Sequence, residues 1–284
     1  MDTPPLEIRQ LYEQALAYDQ AGDVYNAVKL YKKATKSCPQ WFPPFERLGL
    51  IYKGRQDWKG ALYYNKKAVS LNPANRNAWW DLGIAATALK RWRLARSVWS
   101  KFGISQKEAR KKGKASVRLK VGQQFEIVEV QLLDPARAMI SSIPFPNSDR
   151  RFRDIILYDR DISGYYRSKG AKLPVYDELD LHKRSVYQTA SCWLHEVGES
   201  EVKKLEEMCL EYKLGFEVWS NAQLNTSFAN AGKVPEYQTV EGLNIDTGGA
   251  WVAIAAKSVK QVRSVLDSWE VICLRSYSDL RVHN

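Results

Sequence analysis

Residues 45–52 read Phe-Glu-Arg-Leu-Gly-Leu-Ile-Tyr, and residues 79–86, one step of 34 later, read Trp-Trp-Asp-Leu-Gly-Ile-Ala-Ala. Sliding the chain along itself by 34 residues superimposes Leu11, Phe45 and Trp79, then Tyr18 and Tyr52, then Ala27, Ala61 and Ala95. Ala34 falls on Ala68, and Pro39 on Pro73. Each step holds two runs of helical spacing. Its small alanines let the second run approach the first closely, and aromatics fill the space left around them. The proline ends each unit because it cannot continue a helix. The spacing predicts three helix pairs, at 6–20/24–37, 41–54/58–71 and 75–88/92–104.

A period of 34 with a large residue, Leu-Gly, a small Ala pair and a closing Pro resembles the tetratricopeptide repeat (TPR). The match is fullest in the middle unit. The first unit has Gln14-Ala15 in place of Leu-Gly, and the third has Ala86 in place of Tyr and no closing proline. Terminal units of a stack are commonly atypical. The resemblance covers about a third of the chain and implies an all-α solenoid that holds a protein in a concave groove lined by the first helix of each pair. The family's groove positions fall on Arg9, Tyr12, Leu16, Asp19, Glu46, Leu50, Lys53, Asn77, Trp80, Ile84 and Thr87. Chaperone-binding members need a Lys and an Asn in the first repeat. Tyr12 and Leu16 stand there instead, so capture of a chaperone's acidic tail is not expected. Trp80 is the anchor candidate, because Trp79 beside it takes the core position. It serves either as an interface hot spot or as packing on a neighbouring helix or on the second domain.

The 284 residues include 43 basic and 32 acidic side chains, with 45% hydrophobic and 12% aromatic content. That balance excludes a disordered polyelectrolyte and suits a folded chain of two or three domains. No run approaches the roughly 18 apolar residues that cross a bilayer. The opening residues lack a secretory pattern, and Cys38, Cys192, Cys209 and Cys273 form no C-x-x-C pair, so free thiols in the cytoplasm are expected. The charge is uneven. Residues 1–120 hold 24 basic against 9 acidic side chains, whereas residues 121–284 hold 19 against 23.

Much of the excess lies between residues 90 and 120, in Arg91, Arg93, Arg96, Lys107, Arg110, Lys111, Lys112, Lys114 and their neighbours, with Glu108 the one acid. This stretch reads first as a helix face followed by a solvated basic linker, 107–120, and second as a patch for nucleic acid or another anion. No RNP-like or G-x-x-G signature accompanies it.

After Lys120 the pattern changes to alternation. Runs near 122–132, 136–143, 152–159 and 173–179 read as strands separated by Asp134-Pro135 and Pro144-Phe-Pro-Asn147, which suggests a small β module of SH3-like kind at 121–181. Residues 182–284 contain two matched units. The first is strand Val186–His195, a helix capped by Ser200, and strand Phe216–Trp219. The second is strand Trp251–Ala256, a helix capped by Ser258, and strand Val271–Tyr277. The order βαβ–βαβ suggests a ferredoxin-like domain. The polar excursion 220–249 reads as a binding loop or a disordered excursion. The expected whole is an α+β multidomain protein, with a TPR array at 1–106 followed by these parts.

Catalytic signals are sparse. Cys192 and His195 are three apart on a strand and point to opposite faces, so they cannot share a metal. Asp177, Glu178 and Asp180 before His182 read as a solvated acidic edge, and His283 as a frayed end. Thr247-Gly248-Gly249 precedes a strand and is a turn. No G-x-S-x-G, H-E-x-x-H or Walker pattern occurs, and Tyr187 and Trp193 are not spaced as an aromatic ladder. Neither a cofactor nor a metal nor an enzyme is expected. The reading that follows is a protein-binding adaptor or inhibitor meeting an acidic partner surface. In architecture it resembles the immunity proteins that neutralise secreted bacterial toxins. The alternative is an RNA- or ribosome-associated factor using the basic 90–120 surface. The third class, a hydrolase or transferase in the last domain, would draw on Asp177 and His182.

Overall fold

Six helices follow one another from the amino end: α1 (Leu6–Gln20), α2 (Val24–Ser37), α3 (Pro43–Gly54), α4 (Trp58–Leu71), α5 (Arg76–Ala88) and α6 (Trp92–Lys101). The structure, a computed structural model, describes residues 4–104, 113–168, 171–221, 224–225, 235–238 and 248–283. It divides into two units, Met1–Arg110 and Lys111–Asn284. Among the described residues no helix is long and apolar enough to cross a membrane.

In the first unit the 34-residue period recurs in helix caps, turns and buried alanines. The Asp23 and Asp57 side chains cap α2 and α4 by accepting from Asn26 N and Gly60 N, and Asn75 caps α5 by accepting from Ala78 N. Such caps satisfy amide groups that have no partner within the helix. Gly22, Gln56 and Lys90 hold one repeat position, and all three turn the chain with positive φ. Ala27, Ala61 and Ala95 are buried where the second helix meets the first. The slot opposite Leu-Gly varies. Trp99 fills it against Gly83, whereas Asn65 packs against Gly49 so closely that a Cβ there would collide with its amide.

The second unit begins with a meander: β1 (Lys114–Val121), β2 (Gln124–Asp134), β3 (Arg137–Ile140), β4 (Ile155–Ser168) and β5 (Ala171–Lys183). Successive strands pair antiparallel. β1 also pairs with β5, in parallel, so the sheet closes on itself. Residues of one parity face inward: Ala115, Val117, Leu119, Val128, Val130, Ala138, Ile140, Ile156 and Tyr158. The Asp134 side chain makes the β2–β3 turn by accepting from Ala136 N and Arg137 N, as the Asp-Pro signal predicts.

Then come β6 (Gln188–His195), α7 (Glu199–Glu211), β7 (Gly215–Val218), the short strands β8 (Leu224–Asn225) and β9 (Glu236–Gln238), β10 (Gly249–Ala256), α8 (Val259–Cys273) and β11 (Tyr277–His283). β8 pairs with β2 and β9 with β4. The other four strands form an antiparallel sheet in the order β11-β6-β10-β7. Ala190, Cys192, Leu194, Val252 and Ile254 pack on Val202, Leu205, Val262, Leu266 and Trp269 of the two helices.

Several sequence expectations need correction. Lys114–Val121, read as the end of a basic linker, is β1, and its inward Ala-Val-Leu alternation was hidden by the Lys114, Arg118 and Lys120 charges interleaved with it. The cap of α7 is Gly198, whose N–H donates to Glu201 Oε2, and not Ser200. Val271–Cys273 continues α8, and the last strand starts at Tyr277. His283 is bound within that strand. Most of 220–249 lies outside the described residues.

Candidate functional site

The groove positions fare differently from one another. Arg9, Leu50 and Asn77 are exposed, and Tyr12, Leu16, Asp19, Glu46 and Trp80 are half-buried. Ile84 and Thr87 are closed off, with Thr87 Oγ1 donating to Gly83 O. Lys53 is tied to Asp81 at 2.7 Å, joining the first helices of adjacent repeats. Glu46 Oε1 accepts from Asn75 Nδ2 at 2.7 Å, another link between repeats. Tyr12 lies against Trp41 and Tyr31, ring centroids 5.0 and 5.5 Å away. The Trp80 ring packs edge-on against Trp99 and Phe102, each at 5.0 Å. Of the positions expected to line a groove, Arg9, Leu50 and Asn77 are therefore the most exposed.

Of the basic residues, Arg91, Arg93, Arg96 and Lys114 are exposed, while Lys107, Arg110, Lys111 and Lys112 lie outside the described residues. α2, α4 and α6 carry ten lysines and arginines and not one carboxylate. The first helices mix the signs, five acidic side chains with four basic.

In the second unit, one face of the four-stranded sheet gathers polar and aromatic groups far apart in sequence. Trp193 and Trp251 are register partners, centroids 5.8 Å apart, and the Arg281 guanidinium lies 6.0 Å from the Trp251 ring. Beside them, His195 Nε2 is 2.8 Å from Ser278 Oγ, and His283 Nε2 is 2.8 Å from Ser191 Oγ. The Trp219 ring stacks near His283 and Phe145, at 5.6 and 5.3 Å, and its indole N–H donates to Ile143 O. Burial, and then Arg281, hold the His283 imidazole below its usual pKa. Among the described residues neither His195 nor His283 is hydrogen-bonded to a carboxylate, so neither Ser–His pair has the third group that orients a catalytic base. The pairing of Trp193 with Trp251 escaped the sequence reading because it depends on the register of β6 against β10. Alternation on each strand was the signal available, and it could not supply that register.

The acidic edge is neutralised. Asp177 accepts from Arg118 and from Ser163, and Glu178 from Arg150 Nε at 2.5 Å. Among the described residues no three His, Cys, Asp or Glu side chains lie close enough to hold a metal. One carboxyl is unusual. Glu126 shares the inward parity of Val128 and Val130, is 5% exposed, and accepts from Phe145 N at 3.0 Å. Desolvation pushes its pKa to about 8, the Phe145 amide opposing and Glu217 adding to the rise.

No protein-family model matches the sequence, and the search of curated proteins gives no match. Three solved structures illustrate the likeness found. The first TPR of Spaghetti (RPAP3), bound to the HSP90 peptide SRMEEVD, is 21% identical over 33% of this chain and 75% of its own, TM-score 0.31. MamA AMB-1 is 24% identical over 36% of this chain and 58% of its own, TM-score 0.33. The Arabidopsis OM64 TPR domain is 18% identical over 33% and 78%, TM-score 0.31. At these scores the likeness carries nothing further, and the repeat stands on the chain's own period, caps and helix contacts. On those grounds the amino-terminal region has the fold of a tetratricopeptide repeat array, with three helix pairs.

Proposed function

We propose that the protein is a non-enzymatic adaptor or inhibitor that binds another protein through its repeat array. The observation that carries this reading is the first-helix face, where Arg9, Leu50 and Asn77 stand exposed on three successive repeats. Mixed charge with an exposed leucine suits a protein surface, which presents both signs and apolar groups. The finer form of the proposal is an immunity protein that blocks a secreted toxin in the cytoplasm, with an acidic surface on the partner. In that form 1–106 recognises the partner and the carboxy-terminal parts add a second surface. Two domain assignments belong to the proposal. A ferredoxin-like sandwich at 182–284 is supported by the strand order β11-β6-β10-β7 with two helices on one face. The SH3-like module expected at 121–181 is supported, with its bounds widened to 114–183, by the five-strand meander that closes through β1.

The test is affinity capture by the full chain and by an Arg9→Ala/Leu50→Ala/Asn77→Ala variant. A stoichiometric protein partner kept by the first and lost by the second supports the reading, and no such partner overturns it. A captured toxin whose activity the full chain abolishes would establish the finer form.

A further inference from the structure

The positive charge of the repeat array belongs to its second helices. On α2, Lys29, Lys33 and Lys36 stand at i, i+4 and i+7, all exposed, opposite the buried Ala27, Tyr31 and Ala34. The same face recurs along the stack. Lys33, Lys67 and Lys101 hold one repeat position, and Tyr25, Lys59 and Arg93 another, and every one of them is exposed. Because stacked repeats present equivalent positions side by side, these form two rows running across the helices, one of three lysines and one of Tyr25 with two cations. Among the described residues none of the ten basic side chains on α2, α4 and α6 is in an ion pair. Aromatic rings lie between them, with Tyr25 76% and Tyr63 56% exposed. The large apolar side chains exposed on these helices are all aromatic; the exposed leucines of the array, Leu6 and Leu50, lie on α1 and α3.

We propose that this second-helix face binds single-stranded nucleic acid, with phosphates along the cations of both rows and bases on Tyr25 and Tyr63. Three features favour this occupant. A face of one sign, repeated at a regular step, complements a chain of regularly spaced negative charges. Exposed tyrosines between the cations supply the stacking that single strands use without sequence preference. The face offers no aliphatic side chains to bury in a bilayer, which membrane-surface helices require. The proposal does not rest on the protein-binding reading, since it uses the opposite helix of each pair.

The test measures fluorescence anisotropy of a labelled oligouridylate of about 20 nucleotides with the full chain, over a range of salt. Wild type is expected to bind with a steep salt slope. Lys33→Gln/Lys66→Gln/Lys67→Gln should lower the slope by about 2 and the affinity by about tenfold or more. Tyr25→Ala/Tyr63→Ala should weaken binding about tenfold with the slope unchanged. Lys203→Gln/Lys204→Gln/Lys260→Gln, which removes three exposed lysines from α7 and α8, should change neither. Circular dichroism checks that all variants are folded. Absence of binding overturns the proposal, and so does an equal loss in the α7/α8 control or no loss in the tyrosine variant. Co-sedimentation with phosphatidylserine–phosphatidylcholine vesicles, without oligonucleotide binding, would assign the face to membranes and overturn it too.

Discussion

Lys53 Nζ lies 2.7 Å from Asp81 Oδ1, joining α3 to α5 with side chains only 10% and 13% exposed. A pair this far from water gains little over an apolar contact, but removing one partner takes a close counter-charge from the other. Lys53→Met should lower stability by about 3 kcal/mol in urea unfolding, and Lys53→Met/Asp81→Leu should recover much of the loss.

Asn65 occupies the slot that Tyr31 and Trp99 fill in the flanking repeats. Neither amide atom of its buried side chain has a hydrogen-bond partner. An unsatisfied buried amide costs about 1–3 kcal/mol. Asn65→Leu keeps the volume and removes the polar atoms, so it should raise the thermal midpoint and stabilise the array by about 1 kcal/mol.

The turns at Gly22, Gln56 and Lys90 share a left-handed backbone, with φ of 79, 58 and 57°. Glycine adopts that region without a Cβ penalty, and other residues do not. Gly22→Ala should therefore destabilise by about 1 kcal/mol, and Gln56→Gly or Lys90→Gly should stabilise by a similar amount. Denaturant titration of the three variants checks the opposite signs.

Glu126 keeps its proton in the folded protein up to about pH 8, against an ordinary value of 4.5. Between these values the folded state binds more protons than the unfolded state, so stability falls as pH rises through that window and levels off above it. Glu126→Gln should flatten this part of the profile and exceed wild type in stability above pH 8. Thermal midpoints measured from pH 5 to 9 would show it.

Burial pushes the Cys192 and Cys209 thiols up to about 12, while Cys38 and Cys273 are half-buried. Only the thiolate reacts with disulfide reagents. At pH 8 a chromogenic disulfide should titrate Cys38 and Cys273 in the native protein, with Cys273 slowed by its own raised pKa. All four should react in guanidinium chloride.

The repeat array was legible because its determinants are local. Turns and alanine contacts recur at each step of 34 residues, the Asp cap and the Leu-Gly pair at two of the three, and each acts within one helix hairpin. The charge was legible only as a total. Divided by chain segment it pointed to residues 90–120; divided by helix, ten basic side chains and no carboxylate fall on α2, α4 and α6, and the structure adds which of them face water.

In the carboxy-terminal half, composition and alternation were enough to place most strands and both helices. The closure of β1 onto β5, the meeting of Trp193 with Trp251, and the return of His283 to Ser191 are matters of register between segments tens of residues apart. Alternation says which face a strand residue takes but not which residue stands opposite it. The sequence by itself determined the helical repeat, whose contacts are short-range. Tertiary structure decided the sheet face, because strand pairing is set by long-range packing that no local pattern encodes.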